Sequence, residues 1–223
     1  MKYKAMIFDM DGTIITTESV WEETTKQLLK AKGNLSDQEC QIVMPMMKGA
    51  SLYATCAFIK ETFNTKESVE ELIAEKERLA FGRFSKEAQL IEGFDRFHNK
   101  LETLGLKTAI ATNANQRSVD RILKHVPLDQ FFKHHIYSID IVNRMYKPFP
   151  DIYLHAAAQL NIDPKDCLAI EDSAHGITAA KAAGMFCIGI NTGLDRNAIA
   201  HADHIIEGYD ELDVETLLNF SKQ

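Results

Sequence analysis

The chain alternates compact apolar runs with stretches in which apolar residues recur every three or four positions. Lys4 to Phe8 is a run of the first kind, ends at Asp9, and predicts a short buried strand. Four helical patterns follow it with no strand pattern between them. The first carries Val20, Trp21, Leu28 and Ala31 on one side. The second opens on the capping box Ser36-Asp-Gln-Glu39, in which side chains satisfy the free N–H groups of the first turn. It carries Ile42 and Val43 and should stop near Met44, because Pro45 disfavours helix in the residue before it. The third runs from about Ser51 to Phe63, and the fourth carries Val69, Leu72, Ile73, Leu79 and Ala80.

After about Leu90 strands and helices take turns. A helix with Phe94, Phe97, Leu101 and Leu104 stops at Gly105, a natural residue for the left-handed turn that ends a helix. "LKTAIAT" is a strand ending at Thr112, followed by a helix with Val119, Ile122 and Leu123. "HHIYSI" is a weaker strand, and "PFPDIYLHAAAQL" starts a helix with Pro150 in its first turn. "CLAIE" is a strand, and Ser173 caps an alanine-rich helix that reaches Gly184. "FCIGI" and the short "HIIE" are strands, and Asp210 to Phe220 reads as a last helix. Alternation of this kind implies right-handed crossovers and a mainly parallel sheet. The expected class is α/β: a doubly wound, Rossmann-like sheet from residues 1–15 and 88–223, with a helical bundle inserted over 16–87. Strand order is not encoded in the pattern.

Composition narrows the partners. With 223 residues, 45% hydrophobic and 26% charged, the chain is an ordinary globular one. A net charge of −7 argues against a nucleic-acid binder, which needs a basic stripe. No apolar stretch approaches the ~18 residues of a membrane span, and the N-terminal run does not read as a signal peptide. Cys40, Cys56, Cys167 and Cys187 are scattered, which suits reduced thiols and a cytoplasmic location. A monomer is the default expectation.

Polar residues gather where such sheets bind ligands, beyond the carboxyl ends of the strands. Asp9 and Asp11 end the first strand, Thr112 and Asn113 the second, Glu171 and Asp172 "CLAI". Each has a local alternative: Asp172 or Ser173 as a helix cap, Asn113 as a turn residue. Two carboxylates ~4 Å apart repel by roughly 4 kcal/mol at an effective dielectric of ~20, so four in one crevice call for a cation. An all-oxygen donor set with few carboxylates suits Mg²⁺. The calcium-loop pattern fails, because it would need Gly at Ile14 and Glu at Val20. His134-His135 and His201/His204 lack a spaced third ligand for zinc. Backbone N–H groups of Gly12 and Thr13 are placed to line an anion pocket. No P-loop, dinucleotide fingerprint or serine-hydrolase elbow is present.

These residues resemble the haloacid dehalogenase superfamily. "DMDGT" matches its D-x-D-G-T/V motif, "AIATN" its second with Thr112 as the hydroxyl, and "YKPFPDIY" the K-P-x-P-D-x-F/Y motif with Lys147. "AIEDSAHGI" resembles the fourth, and the ordered set spans Asp9 to Gly176. The helical insert resembles the small cap of the phosphoglucomutase-like subfamily. The resemblance implies that Asp9 is a nucleophile forming an aspartyl-phosphate and that Asp11 is the general acid and base, with its backbone carbonyl on Mg²⁺. It makes Thr112 and Asn113 holders of phosphoryl oxygens and Lys147 a charge-neutralising group. Asp172 would bind the ion directly and Glu171 through water.

The same resemblance orders the alternatives. Asp11 points away from dehalogenases and phosphonate-cleaving members. Related sugar-phosphate mutases carry a cap histidine and an arginine where Trp21 and Leu52 stand, and an acidic residue where Thr16 stands. A phosphatase acting on a small phosphorylated metabolite is therefore the leading expectation. A mutase comes second, and a phosphate-binding regulator without turnover third. Lys48 in "MKGAS" is a candidate substrate contact from the cap, with a solvated loop lysine as the alternative; His175 either lies near the site or decorates a helix start.

Overall fold

The computed structural model describes residues 2–47, 50–193 and 195–213. The chain divides into two compact units: Met1–Thr16 with Gln89–Gln223, and Thr17–Ala88. The first is a six-stranded parallel sheet with helices on both faces. Its strands are β1 (Ala5–Phe8), β2 (Lys107–Ala111), β3 (Ile136–Tyr137), β4 (Cys167–Glu171), β5 (Phe186–Ile190) and β6 (His204–Ile206), in the order β3-β2-β1-β4-β5-β6. In the second unit lie helices α1 (Glu18–Gly33), α2 (Asp37–Val43), α3 (Leu52–Phe63) and α4 (Val69–Glu87). Helices α5 (Phe94–Thr103), α6 (Gln116–Ile122), α7 (Leu128–Phe132), α8 (Asp151–Gln159) and α9 (Ala174–Ala182) belong to the first. The α/β class read from the sequence is therefore the observed one.

The pleat of β1 sorts its side chains between two layers. Ala5 and Ile7 join the apolar cluster built with Ile152, Tyr153 and Ala156 of α8 and Ile177 and Ala180 of α9. Phe8 points to the other face, edge-on to Phe94 of α5 at 5.7 Å and to Phe132 of α7 at 5.6 Å. β1 is buried on both faces, which is why it reads as a continuous apolar run. The helical unit has its own core, with Leu28 and Leu29 of α1 against Cys40, Cys56, Ile59 and Leu72. The expected capping box of Ser36 with Glu39 forms at α2, and a second, Ser68 with Glu71, opens α4. All four cysteines are buried and free, and burial pushes the Cys56 thiol up to about 11 and Cys167 to about 12.

Local differences from the sequence reading have physical causes. Pro45 ends α2 but the chain continues as a 3-10 turn over Met44–Met47, a tighter winding that tolerates the proline. "HHIYSI" gives only a two-residue strand, and α7 was not foreseen because five residues are too few for periodicity. The helix expected over Asp210 to Phe220 meets a 3-10 turn, Tyr209–Glu211, and then irregular chain at Leu212 and Asp213; residues 214–220 lie outside the described residues. Ala31 is exposed, and Thr24 and Thr25 take buried positions on α1 instead.

His98 lies in the aromatic layer between Phe94 and Phe132, with Nε2 3.0 Å from the Thr108 hydroxyl and Nδ1 without a partner. Burial lowers its pKa below the ordinary 6.5. The unfolded chain then binds the proton more readily, so this contribution to stability is full above pH 6.5 and is lost as pH falls through the lowered folded value. Burial lowers His135 and His155 in the same direction. Thermal midpoints between pH 5 and 8 should therefore show a smaller acid-side decline in His98→Gln than in the wild type. An unchanged decline would remove His98 from the account.

Candidate active site

Register decides what the sheet presents at its carboxyl edge. Phe8 pairs with Ile110 on one side and Ile170 on the other. One residue further, Asp9 comes level with Glu171, and its N–H donates to the Ile170 carbonyl at 3.0 Å. Thr112 extends β2, its N–H held by the Tyr137 carbonyl at 3.1 Å. Three neighbouring strands thus deliver Asp9, Thr112 and Glu171 to one place.

The centre is a buried ion-pair cluster. Lys147 Nζ donates to Asp9 Oδ1 at 2.5 Å and to Glu171 Oε1 at 2.6 Å, and stands 4.9 Å above the Tyr153 ring. The Tyr153 hydroxyl donates to the same Glu171 oxygen at 2.8 Å. Ser173 occupies the other Glu171 oxygen, its hydroxyl at 3.0 Å and its N–H at 3.3 Å. Asn113 accepts the Lys147 N–H at 3.0 Å on Oδ1 and so fixes the segment that carries the lysine. Thr112 Oγ1 accepts from the Ala114 N–H at 3.0 Å, which leaves its hydroxyl proton to donate elsewhere.

The loop after β1 is a tight turn. Gly12 N–H donates to the Ile15 carbonyl at 2.8 Å, and Ile14 N–H to Met10 at 2.9 Å. Gly12 has φ +80°, and a Cβ there would stand 2.2 Å from Asp172 Oδ2. Thr13 donates to Asp172 Oδ1 at 3.3 Å. Hydroxyls from the end of the first unit pin this loop: Thr192 donates to the Gly12 carbonyl at 2.5 Å, Tyr209 to the Thr13 carbonyl at 2.7 Å. Gly12→Ala therefore forces Asp172 aside and strains the backbone. An ångström of misplacement costs ~10²-fold in rate, so turnover by this variant should fall at least about that far, as steady-state assays would show.

Electrostatics suit the cluster to a cation. Oxygens of Asp9, Glu171 and Asp172 lie within 4.8 Å of one another. Burial raises the Asp9 pKa; Lys147 opposes this, while Glu171 and Asp11 reinforce it. Asp172 is raised well above its ordinary value by burial, then by Asp9 and Glu171. Burial works against the charge of Lys147, but Asp9 and Glu171 more than reverse it and hold the amine protonated. One lysine does not balance this many carboxylates, and an all-oxygen donor set fits a hard divalent ion. The Asp11 carboxylate stays outside the group of three and acts on Asp9 through its charge. Lys48 lies outside the described residues.

The comparisons with known proteins agree with this geometry. The family model described as haloacid dehalogenase-like hydrolase matches residues 3–184. The chain belongs to the haloacid dehalogenase-like hydrolases. The Bacillus subtilis protein named "Putative phosphatase YhcW" is 32% identical over 97% of this chain and 96% of its own. The beta-phosphoglucomutase of Bacillus subtilis is 29% identical over 96% of this chain and 93% of its own. A solved family IA hydrolase, variant 3, from Entamoeba histolytica superposes with TM-score 0.86 at 24% identity, covering 96% of this chain and 97% of that one, a likeness of fold.

Sequence reasoning for this haloacid dehalogenase-like hydrolase missed three hydroxyls. Tyr153 is the aromatic residue of K-P-x-P-D-x-F/Y, where nothing in the pattern shows that its hydroxyl is shared between Lys147 and Glu171. Thr192 and Tyr209 lie far along the chain, and only the folded loop brings them to Gly12 and Thr13. Among the described residues no helix is long and apolar enough to cross a membrane.

Proposed function

We propose that this hydrolase is a Mg²⁺-dependent phosphatase that cleaves a small phosphorylated metabolite through an aspartyl-phosphate on Asp9. The observation that carries the reading is Asp9 itself, buried at the end of the central strand with Oδ1 bound by Lys147 and Oδ2 receiving no hydrogen bond among the described residues. Oδ2 is the attacking oxygen. Forming the acyl phosphate splits one difficult displacement into two easier ones. Lys147 works against the burial that raises the Asp9 pKa, so it favours the ionised carboxylate, and it faces the charge that grows on the transferring group. The Thr112 hydroxyl, and the Asn113 amide beyond its Lys147 bond, donate to phosphoryl oxygens, and the N–H groups of Gly12 and Thr13 line the same pocket. Asp11 protonates the leaving oxygen and then takes the proton from water. Asp172, Asp9 and the Asp11 carbonyl hold the ion, with Glu171 behind them because its oxygens already receive Lys147, Tyr153 and Ser173. When bound, the ion neutralises phosphoryl charge and orients the ester. The helical unit serves as the cap that reads the leaving group.

A second reading, a sugar-phosphate mutase, is favoured by the similarity to beta-phosphoglucomutase along nearly the whole chain. One experiment separates the two. Sugar phosphates, polyol phosphates and nucleotides are incubated with the enzyme with and without Mg²⁺, and inorganic phosphate and isomerised sugar phosphate are both measured. A phosphatase releases phosphate in a Mg²⁺-dependent way. Isomerisation without release identifies a mutase, and neither product sinks both readings.

A further inference from the structure

The turn that carries Asp11 is loose by composition and fixed by side chains from far along the chain. Gly12, the residue after Asp11, has a positive φ and no room for a Cβ beside Asp172, so the position demands glycine. Glycine also leaves the backbone more freedom than any other residue. A trans peptide is planar, so holding its carbonyl or its N–H holds the whole unit. Successive peptide units after Asp11 are held in this way. The Gly12 N–H donates to the Ile15 carbonyl and fixes the first. The Thr192 hydroxyl fixes the second through the Gly12 carbonyl, and the Tyr209 hydroxyl the third through the Thr13 carbonyl. Among the described residues these two carbonyls accept no other hydrogen bond.

The two hydroxyls stand on a firm base. Thr192 follows β5, and Tyr209 opens the 3-10 turn after β6. Glu207, between them in sequence, receives Asn191 at 2.7 Å on one oxygen and Arg196 on the other, which ties the ends of β5 and β6 together. Tyr209 is only 2% exposed, with its ring 5.6 Å from Phe94 and 5.2 Å from Phe97 of α5. Burial raises its pKa well above 10, so the phenol remains a donor. A phenylalanine would fill the same space among these rings. Packing therefore accounts for the ring of Tyr209, whereas its hydroxyl has one partner among the described residues, the Thr13 carbonyl.

We propose that Thr192 and Tyr209 are positioning residues for Asp11, holding its turn so that the carboxyl meets the leaving oxygen of the substrate. The inference rests on the phosphatase reading, with Asp11 as the acid. In that step an Asp9 oxygen bonds to phosphorus, the bond from phosphorus to the ester oxygen breaks, and that oxygen takes the proton of Asp11. Asp9 precedes the turn and is fixed separately, by the Ile170 carbonyl at its N–H and by Lys147 at its carboxylate. Loss of either hydroxyl therefore weakens protonation of the leaving group and spares the attack.

Two esters of nearly equal size separate these effects. 4-Nitrophenolate departs without a proton, whereas phenolate, a much stronger base, needs one. The quantity measured is kcat/KM with Mg²⁺ present, because it ends at departure of the leaving group, before water attacks. In Tyr209→Phe and in Thr192→Val it should fall at least about tenfold further for phenyl phosphate than for 4-nitrophenyl phosphate. Thr192→Ser keeps a hydroxyl and should restore the wild-type ratio. A purely structural role would lower both esters by the same factor in both variants, and that result overturns the proposal. Hydrogen exchange reads the turn without any substrate. The amides of Ile14 and Ile15, which both donate to the Met10 carbonyl, should exchange at least about tenfold faster in the two variants while those of β1 keep their wild-type rates. Unchanged protection of Ile14 and Ile15 in both variants overturns the proposal whatever the kinetics. Hydrolysis of neither ester by the wild type counts against the phosphatase reading, and the exchange rates then decide whether the hydroxyls hold the turn.

Discussion

Asp9→Asn should lose phosphate release by at least about 10⁴-fold while its thermal midpoint stays level or rises. The amide keeps the shape of the side chain but not the charge that the proposed attack on phosphorus requires. It also removes one negative group from a place where Asp9, Asp11, Glu171 and Asp172 share a single lysine. Lys147 keeps Glu171 at 2.6 Å, so the variant does not strand a buried cation. Single-turnover phosphate release and a melting curve on the same preparation test both halves. Activity within tenfold of the wild type would exclude Asp9 as the nucleophile.

How much of this was legible before folding follows from what each signal measures. β1, β4 and β5 are buried on both faces, and such strands read as apolar runs. The acidic and hydroxyl residues after them stood out because they interrupt apolar runs at the carboxyl edge of a parallel sheet. Strand order was not legible, yet it decides the site: β1 lies between β2 and β4, so Asp9 comes level with the residue before Thr112 on one side and with Glu171 on the other. Side-chain partners were hidden for the same reason. Asn113 could be placed near the site, but its grip on the Lys147 backbone is a tertiary fact. On α4 the periodic reading chose Leu79, whereas the fold buries Lys76 and Glu77 and leaves Leu79 only half-buried. Residue type outweighed position there, although the four-residue step from Leu72 to Ala80 passes through Lys76.

Lys147→Met tests the electrostatic balance from the opposite side. Without a divalent ion the variant leaves Asp9 and Glu171 buried and uncompensated, and removing one partner of such a pair costs about 3–5 kcal/mol. The rate should fall by about 10³-fold, as when a donor that meets transition-state charge is lost. The pH dependence has a definite sign. With Lys147 gone the folded-state pKa of Asp9 moves further above that of the unfolded chain. A carboxyl raised in the fold gives stability at low pH and loses it as pH rises through its folded value. The deficit relative to the wild type should therefore widen as pH rises through about 8, where Asp9 ionises in the wild type and stays protonated in the variant. Adding Mg²⁺ should close part of it, because an ion bound only by the folded state stabilises by RT ln(1 + [L]/Kd). Without the lysine the carboxylates attract the ion more strongly, so the midpoint should rise more in Lys147→Met than in the wild type. If Mg²⁺ moves neither midpoint at neutral pH, the carboxylates of Asp9, Glu171 and Asp172 do not form an ion site, and their charge must be balanced by protons instead.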